Sequence, residues 1–287
     1  MYGFTADDYR AAFERVRRGE SPGEIVQGDA LRVLMALPSG SVDLIFGDLP
    51  FNLGKDFVRF GRRPPDLPSD DLPPEAYRAL CRAWMTEAVR VLADHGSLYV
   101  MTAAEHLRFM LAALDELAGW QDTIVWPNTS MPRRERYTPA WQPILWYSKT
   151  EQYVYHHDAD GGPTEAALPW GRKPQGHTMT NVWADIKPVN GGCMASREAI
   201  FVPGTKKKAH AAQMPLGLPR RAILACTEEG MLVVDLWVGS GTTAVAAAET
   251  GRRFFVADVD PRCVALSAAR LRGNPGAAIA GYLAGEG

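Results

Sequence analysis

The sequence predicts an α/β protein built on a doubly wound, mostly parallel sheet, with an irregular region inserted near its middle. Three observations predict it. Apolar runs of strand length occur at 42–47 (VDLIFG), 231–236 (MLVVDL) and 253–257 (RFFVA), as expected of strands buried on both faces. Segments of helical periodicity alternate with such strands. Polar constellations stand where three strands end: Asp48, Asp235 to Gly241, and Asp258. In open sheets of this kind ligands sit beyond the carboxyl ends of the strands.

The elements follow in order. Residues 24–27 (EIVQ) read as a short strand that turns at Gly28-Asp29, and 30–37 as a short amphipathic helix. The strand 42–47 stops at Asp48-Leu49-Pro50-Phe51. Residues 52–74, rich in Pro, Gly and charge, read as a long loop, a kind that is usually functional. Pro74 is suited to opening a helix that runs to about Ala93. A strand at 97–101, a helix near 104–117 and strands at 121–126 and 143–148 come next. From about 150 to 209 periodicity fades. It returns with a helix at 215–228, the strand 231–236, a helix at 241–250, the strand 253–257 and a closing helix near 261–272. This divides the chain into 1–126, an insert at 127–209 whose strand 143–148 belongs to the core sheet, and 210–287.

Composition bounds the class. Hydrophobic residues make up 46% and charged residues 22% of 287, an ordinary globular balance. No apolar run reaches 18 residues and the charged N-terminus has no signal core, so a cytoplasmic protein without membrane contact is expected. Cys81, Cys193, Cys226 and Cys263 are scattered; reduced thiols are expected, and no metal site. His156, His157 and His177 lack ligand spacing. The net charge is −2, yet 127–209 holds eleven Lys/Arg against seven Asp/Glu. A basic insert on an acidic body suits a polyanion.

Two short motifs carry chemistry. Asp235-Leu236-Trp237-Val238-Gly239-Ser240-Gly241-Thr242-Thr243 joins a buried strand to a helix, and its glycines allow a ligand close to the backbone. No Lys follows as in a phosphate-binding P-loop, and the third glycine of a dinucleotide fingerprint is missing. About twenty residues on, Asp258 ends the next strand, where an acid can take both ribose hydroxyls of an adenosine. At the other motif, Asp48 can accept a hydrogen bond from an amino group and the Leu49 carbonyl a second. Two acceptors draw the nitrogen toward tetrahedral geometry and free its lone pair. Pro50 restricts Leu49 to extended backbone. Phe51 offers a face on which a base stacks, worth about 1–3 kcal/mol.

These residues resemble the amino-methylating (N6-adenine/N4-cytosine) DNA methyltransferases in their permuted, beta-class arrangement, from about Glu24 to Leu271. Asp48 to Phe51 is similar to the family's Asp-Pro-Pro-Tyr/Phe. GDALRVLMALPSGSVDLIFGDLPFNLGKDF resembles the entry to its catalytic loop, YTPAWQPILWYSKT the strand before its target-recognition region, and KAHAAQMPLGLPRRAILACTEEGMLVVDLWVGSGTTAVAAAETGRRFFVADVD its cofactor half. The resemblance implies a Rossmann-like methyltransferase sheet, S-adenosylmethionine as cofactor and double-stranded DNA as partner. Residues 1–126 and 210–287 become its catalytic and cofactor halves, and 127–209 its target-recognition region. Asp48, Leu49, Pro50 and Phe51 would hold and activate the target amino group. Asp235, Gly239, Ser240, Gly241, Thr242 and Thr243, with Asp48 beside them, would line the methionine end of the cofactor. Asp258 would bind its ribose and Asp29 approach its adenine, and His210 and Gln213 help close the pocket. Two departures stand out: Leu49 replaces the first Pro of the tetrapeptide, and Met214 replaces a usual Lys.

The catalytic motif precedes the glycine turn, the order of enzymes on DNA rather than on protein glutamine. A target base must flip out of the duplex. No Pro-Cys pair suggests the nucleophile of cytosine-C5 enzymes, so direct transfer to the amino nitrogen is expected. Asp rather than Ser at 48 points to adenine N6; cytosine N4 stands second and an inactive DNA-binding homologue third. Arg133, Arg134, Arg136, Arg172, Lys173, Lys206, Lys207 and Lys208 are the candidate DNA contacts, Arg for guanine edges and Lys for phosphates. Members of this class often form homodimers, so a dimer is an expectation too.

Overall fold

The computed structural model describes residues 4–54, 70–128, 137–138, 140–159, 179–189, 197–202, 206, 208–210 and 212–273. Seven strands form one sheet in the order β1-β7-β6-β2-β3-β5-β4. They are β1 (Gly23–Gln27), β2 (Val42–Asp48), β3 (Leu92–Met101), β4 (Gly119–Pro127), β5 (Trp141–Ser148), β6 (Leu232–Asp235) and β7 (Arg253–Asp258). The pairs from β1 to β3 are parallel. Strand β5 runs antiparallel to both its neighbours, so every other strand points the same way.

The helices α1 (Ala6–Arg17), α2 (Ala30–Ala36), α3 (Pro74–Val91) and α4 (Leu107–Asp115) cover one face. Their apolar sides bury Phe13, Leu34, Trp84 and Met110 against Ile45, Val234 and Phe255. On the other face, α5 (Gly217–Cys226) and α6 (Thr242–Glu249) pack Leu218, Ala222 and Ala244 against Leu44, Phe46, Val233 and Val256. Helix α7 (Pro261–Leu271) lies beside α6. Residues of one strand alternate between the two cores, as the period of two requires.

Three expected elements differ. Helix α1 stands where the sequence was read only as a charged terminus. Its N-cap Thr5 and Asp8 form a reciprocal capping box, and Tyr9, Phe13 and Val16 make its buried stripe, a cap worth about 1 kcal/mol. Strand β3 begins at Leu92 rather than 97: Leu92 pairs with Val42, and a register shift then sets residues 93–96 against Asp43 before Ser97 pairs with Leu44. The helix expected at 104–117 is a 3-10 turn over Ala104–His106 followed by α4. Gly47 also has a packing reason: a Cβ there would lie 2.6 Å from the Trp84 ring. A larger residue would push α3 off the strand that carries Asp48.

The segment between β4 and β5 leaves the sheet at its acid-bearing edge, because β4 runs with β2 and ends there, whereas β5 ends at the opposite edge. Of the insert, 179–189 is anchored on β4. Val125 donates its N–H to Asn181 O and accepts from Trp183 N, and Trp126 Nε1 donates to Ile186 O at 2.8 Å. Arg221 of α5 forks onto Asp185 at 3.0 and 2.5 Å and lies over the Trp183 ring. Among the described residues no helix is long and apolar enough to cross a membrane.

Candidate active site

Four neighbouring parallel strands deliver four acids to one edge: Asp29 beyond β1, Asp258 ending β7, Asp235 ending β6 and Asp48 ending β2. Face follows from alternation. Leu44 and Phe46 of β2, Val233 of β6, and Phe254 and Val256 of β7 all belong to the α5–α6 core. Asp48, Asp235 and Asp258 continue those same parities, so their side chains share one face. The Asp48–Phe51 tetrapeptide and the glycine turn therefore open on a common side of the sheet.

The turn after β6 is built by its own residues. Gly239 and Gly241 take φ of 52° and 82°, left-handed values that favour glycine. A Cβ on Gly241 would also lie 2.8 Å from Ser267 Cα. Asp235, 1% exposed, accepts from Trp237 N at 3.0 Å and from the Thr243 hydroxyl at 2.5 Å. Thr242 donates to Met214 O and accepts from Arg270 at 2.8 Å. Arg270 also reaches Ser240 O, and Ser267 donates to Gly239 O. The two threonine hydroxyls thus hold the turn in shape.

Asp258 is tied to that turn. Its carboxylate accepts from Gly239 N and from Asp260 N, both at 2.9 Å. Asp29 accepts from Arg32 N as the cap of α2. The His210 ring lies against Gly239, where a Cβ would approach it to 3.1 Å. Its Nδ1 is buried without a partner among the described residues, and burial pushes the imidazole down to about 4, so it is neutral. Gln213 is engaged elsewhere: Oε1 accepts from Ile200 N and Nε2 donates to Glu198 O. It braces 197–202 beside the His210 segment. Met214 is buried against the α5–α6 core, and its carbonyl is the anchor for Thr242.

Asp48 differs from the other acids. It is half-buried, and no described residue donates a hydrogen bond to its carboxylate. Burial, with the charge of Asp235 added, pushes it up to about 8. Burial pushes Asp235 up to about 7 against its two hydrogen bonds, and Asp258 up to about 6 against its backbone donors. A ligand bearing positive charge relieves this crowding. The acids at the strand ends and the open glycine turn fit S-adenosylmethionine, whose sulfonium is cationic and whose ribose needs an acceptor.

Beyond Asp48 the tetrapeptide is clamped by residues the sequence did not single out. Tyr77 of α3 donates to Pro50 O and His106 Nε2 to Phe51 O, each at 2.8 Å. Asn52, at φ 48°, bonds both backbone groups of Leu72. Asp70 accepts from Asn52 N and Leu53 N. Leu49 is buried in the α1–α4 core, while Phe51 packs against the opposite core. Of the expected DNA contacts, Arg133, Arg134, Arg136, Arg172, Lys173 and Lys207 lie outside the described residues. Lys206 is exposed, and Lys208 Nζ donates to Val189 O at 3.3 Å. Among the described residues no group of three or more His, Cys, Asp or Glu could hold a metal ion.

A strand-end carboxylate beside a glycine turn, with a further acid ending the next strand, is an arrangement that suits an enzyme with a nucleoside-bearing cofactor. The comparisons agree. Residues 42–269 match the N6/N4 methyltransferase model described as DNA methylase, and the chain belongs to that family of S-adenosylmethionine-dependent DNA methyltransferases. It is 28% identical over 279 residues to the DNA adenine methyltransferase YhdJ of Escherichia coli K12, covering 91% of this chain and 87% of that one. In fold it is similar to the cytosine-N4-specific PvuII DNA methyltransferase, with a TM-score of 0.66, 21% identity and coverage of 92% and 94%. It is also similar to M1.HpyAVI in complex with SAM, with a TM-score of 0.56, 19% identity and coverage of 87% and 98%.

Proposed function

We propose that this chain methylates N6 of an adenine flipped out of duplex DNA. The observation that carries this is the Asp48 carboxylate, which has no donor among the described residues and ends its strand on the same face of the sheet as the glycine turn. S-adenosylmethionine, when bound, would supply a methyl group from a positively charged sulfur, the C–S bond breaking to leave a neutral thioether. Asp48 accepts one amino hydrogen and the Leu49 carbonyl the other, which turns the nitrogen lone pair toward the donor. Phe51 supports the extruded base. Once the N–C bond has formed, one amino proton has to leave. The Asp48 carboxylate, kept ionised by the cofactor's positive charge and raised in proton affinity by burial, can take it. Asp258 and the glycine turn hold the cofactor, and His210, neutral and packed on Gly239, backs the turn.

Adenine is favoured by Asp rather than Ser at 48, and by the adenine methyltransferase among the relatives. The insert 127–209 is assigned to target recognition. Its anchored part, 179–189, joins the acid-bearing edge, and Tyr137, 98% exposed, lies between β4 and β5 at that edge. Transfer of labelled methyl from S-adenosylmethionine to methylation-free genomic DNA, followed by nucleoside analysis, tests the proposal. N6-methyladenine is expected. N4-methylcytosine would reverse the base assignment. Cofactor binding without transfer would leave a DNA-binding homologue. Sedimentation with and without DNA checks for the homodimer.

A further inference from the structure

The three carbonyls that follow Asp48 are not equivalent. Pro50 O takes the Tyr77 hydroxyl and Phe51 O takes His106 Nε2–H, both at 2.8 Å. Leu49 O receives no hydrogen bond from any described residue. The two donors come from different elements, α3 and the 3-10 turn after β3, yet their rings meet with centroids 4.7 Å apart. Tyr77 is 2% exposed, and burial raises its hydroxyl well above the ordinary range, so it stays a donor. His106 must carry hydrogen on Nε2, since a carbonyl can only accept. Neither residue is positioned to touch the reacting atoms, because each is occupied one or two peptides downstream of the free carbonyl.

This arrangement bears on the departure at position 49. The family tetrapeptide has two prolines, whose rings restrain the backbone on both sides of the first carbonyl. Here Leu49 lacks that ring, and its backbone N–Cα torsion is free in the unfolded chain. Fixing the next two peptide planes from outside supplies the missing restraint. Resting on the proposed roles of Asp48 and Leu49, we infer that Tyr77 and His106 are positioning residues for methyl transfer: by gripping the Pro50 and Phe51 carbonyls they aim the Leu49 carbonyl at the acceptor amino group.

The test uses the full chain, methylation-free genomic DNA and S-adenosylmethionine. Tyr77→Phe and His106→Leu are each expected to lower kcat about tenfold with the KM for S-adenosylmethionine unchanged. His106→Gln, whose amide can still donate, is expected to keep most of the activity. Leu49→Pro placed in Tyr77→Phe is expected to recover most of the loss, because the ring restores the restraint. A merely structural role would lower Tm without that recovery. Wild-type kcat in both Tyr77→Phe and His106→Leu overturns the inference, as does His106→Gln being as impaired as His106→Leu. Should Leu49→Pro not fold, the contrast between Gln and Leu at 106 decides. Asp48→Asn run in parallel separates the two levels. Full activity in it defeats the role of Asp48 itself, whereas its inactivity beside unaffected Tyr77→Phe and His106→Leu defeats only the positioning.

Discussion

Asp258 and Asp48 end neighbouring parts of one sheet, face the same way and are both crowded by other acids, yet they are furnished in opposite manners. Asp258 is held by two backbone N–H groups, one from the glycine turn. Asp48 is given nothing among the described residues. On the proposed assignment, the cofactor side is assembled by the protein before any ligand arrives, and the acceptor side is left for the base to complete. A fixed cradle lowers the ordering cost of binding the cofactor. An unsatisfied carboxylate keeps its hydrogen-bonding capacity for the amino group it has to activate.

Breaking the unsatisfied member has the largest expected effect. Asp48→Asn should lower kcat by about 10²–10³-fold, the scale of removing one transition-state hydrogen-bonding group, with cofactor affinity by calorimetry nearly unchanged. Breaking the satisfied member should do the reverse. Asp258→Asn is expected to weaken S-adenosylmethionine binding about 10–100-fold, the scale of a hydrogen bond to a charged group. A smaller effect is expected one strand away. Thr243→Val strips a donor from buried Asp235 and should cost about 1–3 kcal/mol of stability, read from denaturant midpoints.

The last is a pH slope. Asp48, Asp235 and Asp258 are pushed up to about 8, 7 and 6, above the ordinary Asp value of about 3.9. Between about pH 4 and 8 the unfolded chain has lost those protons while the folded one retains them, so stability falls as pH rises. Denaturation of the cofactor-free protein should show that decline, and saturating S-adenosylmethionine should flatten it, because its positive charge favours the ionised acids. A flat profile without cofactor would mean that the acids are not crowded.

Much of this contrast was legible in the sequence, and the reason is local. The runs VDLIFG and MLVVDL announce buried strands by themselves, and an acid or a glycine turn at the end of each marks the ligand edge. Helix α1 was legible too, since Thr5 and Asp8 have capping-box spacing. The clamp on the tetrapeptide was not. Tyr77 and His106 reach carbonyls 27 and 55 residues away, and no periodicity encodes a meeting between a helix start and a turn after a different strand. The anchor of the insert was hidden for the same reason, since Arg221, Asp185 and Trp183 become partners only when α5 has packed. Gln213 shows the converse: a polar residue in a cofactor-like motif whose amide is taken up by a loop.

The pinned ends of the connection after the tetrapeptide have a consequence for chain closure. Gly54 N donates to Asp70 O at 2.9 Å, and Asn52 and Asp70 close the same junction. The chain thus leaves and returns at one doorway, and the closure entropy of whatever lies between grows only slowly, by about 0.6 kcal/mol per doubling of length. Closing the chain at 52–54 and 70–72 therefore holds the backbone beside the tetrapeptide in place whatever the length of the connection between them.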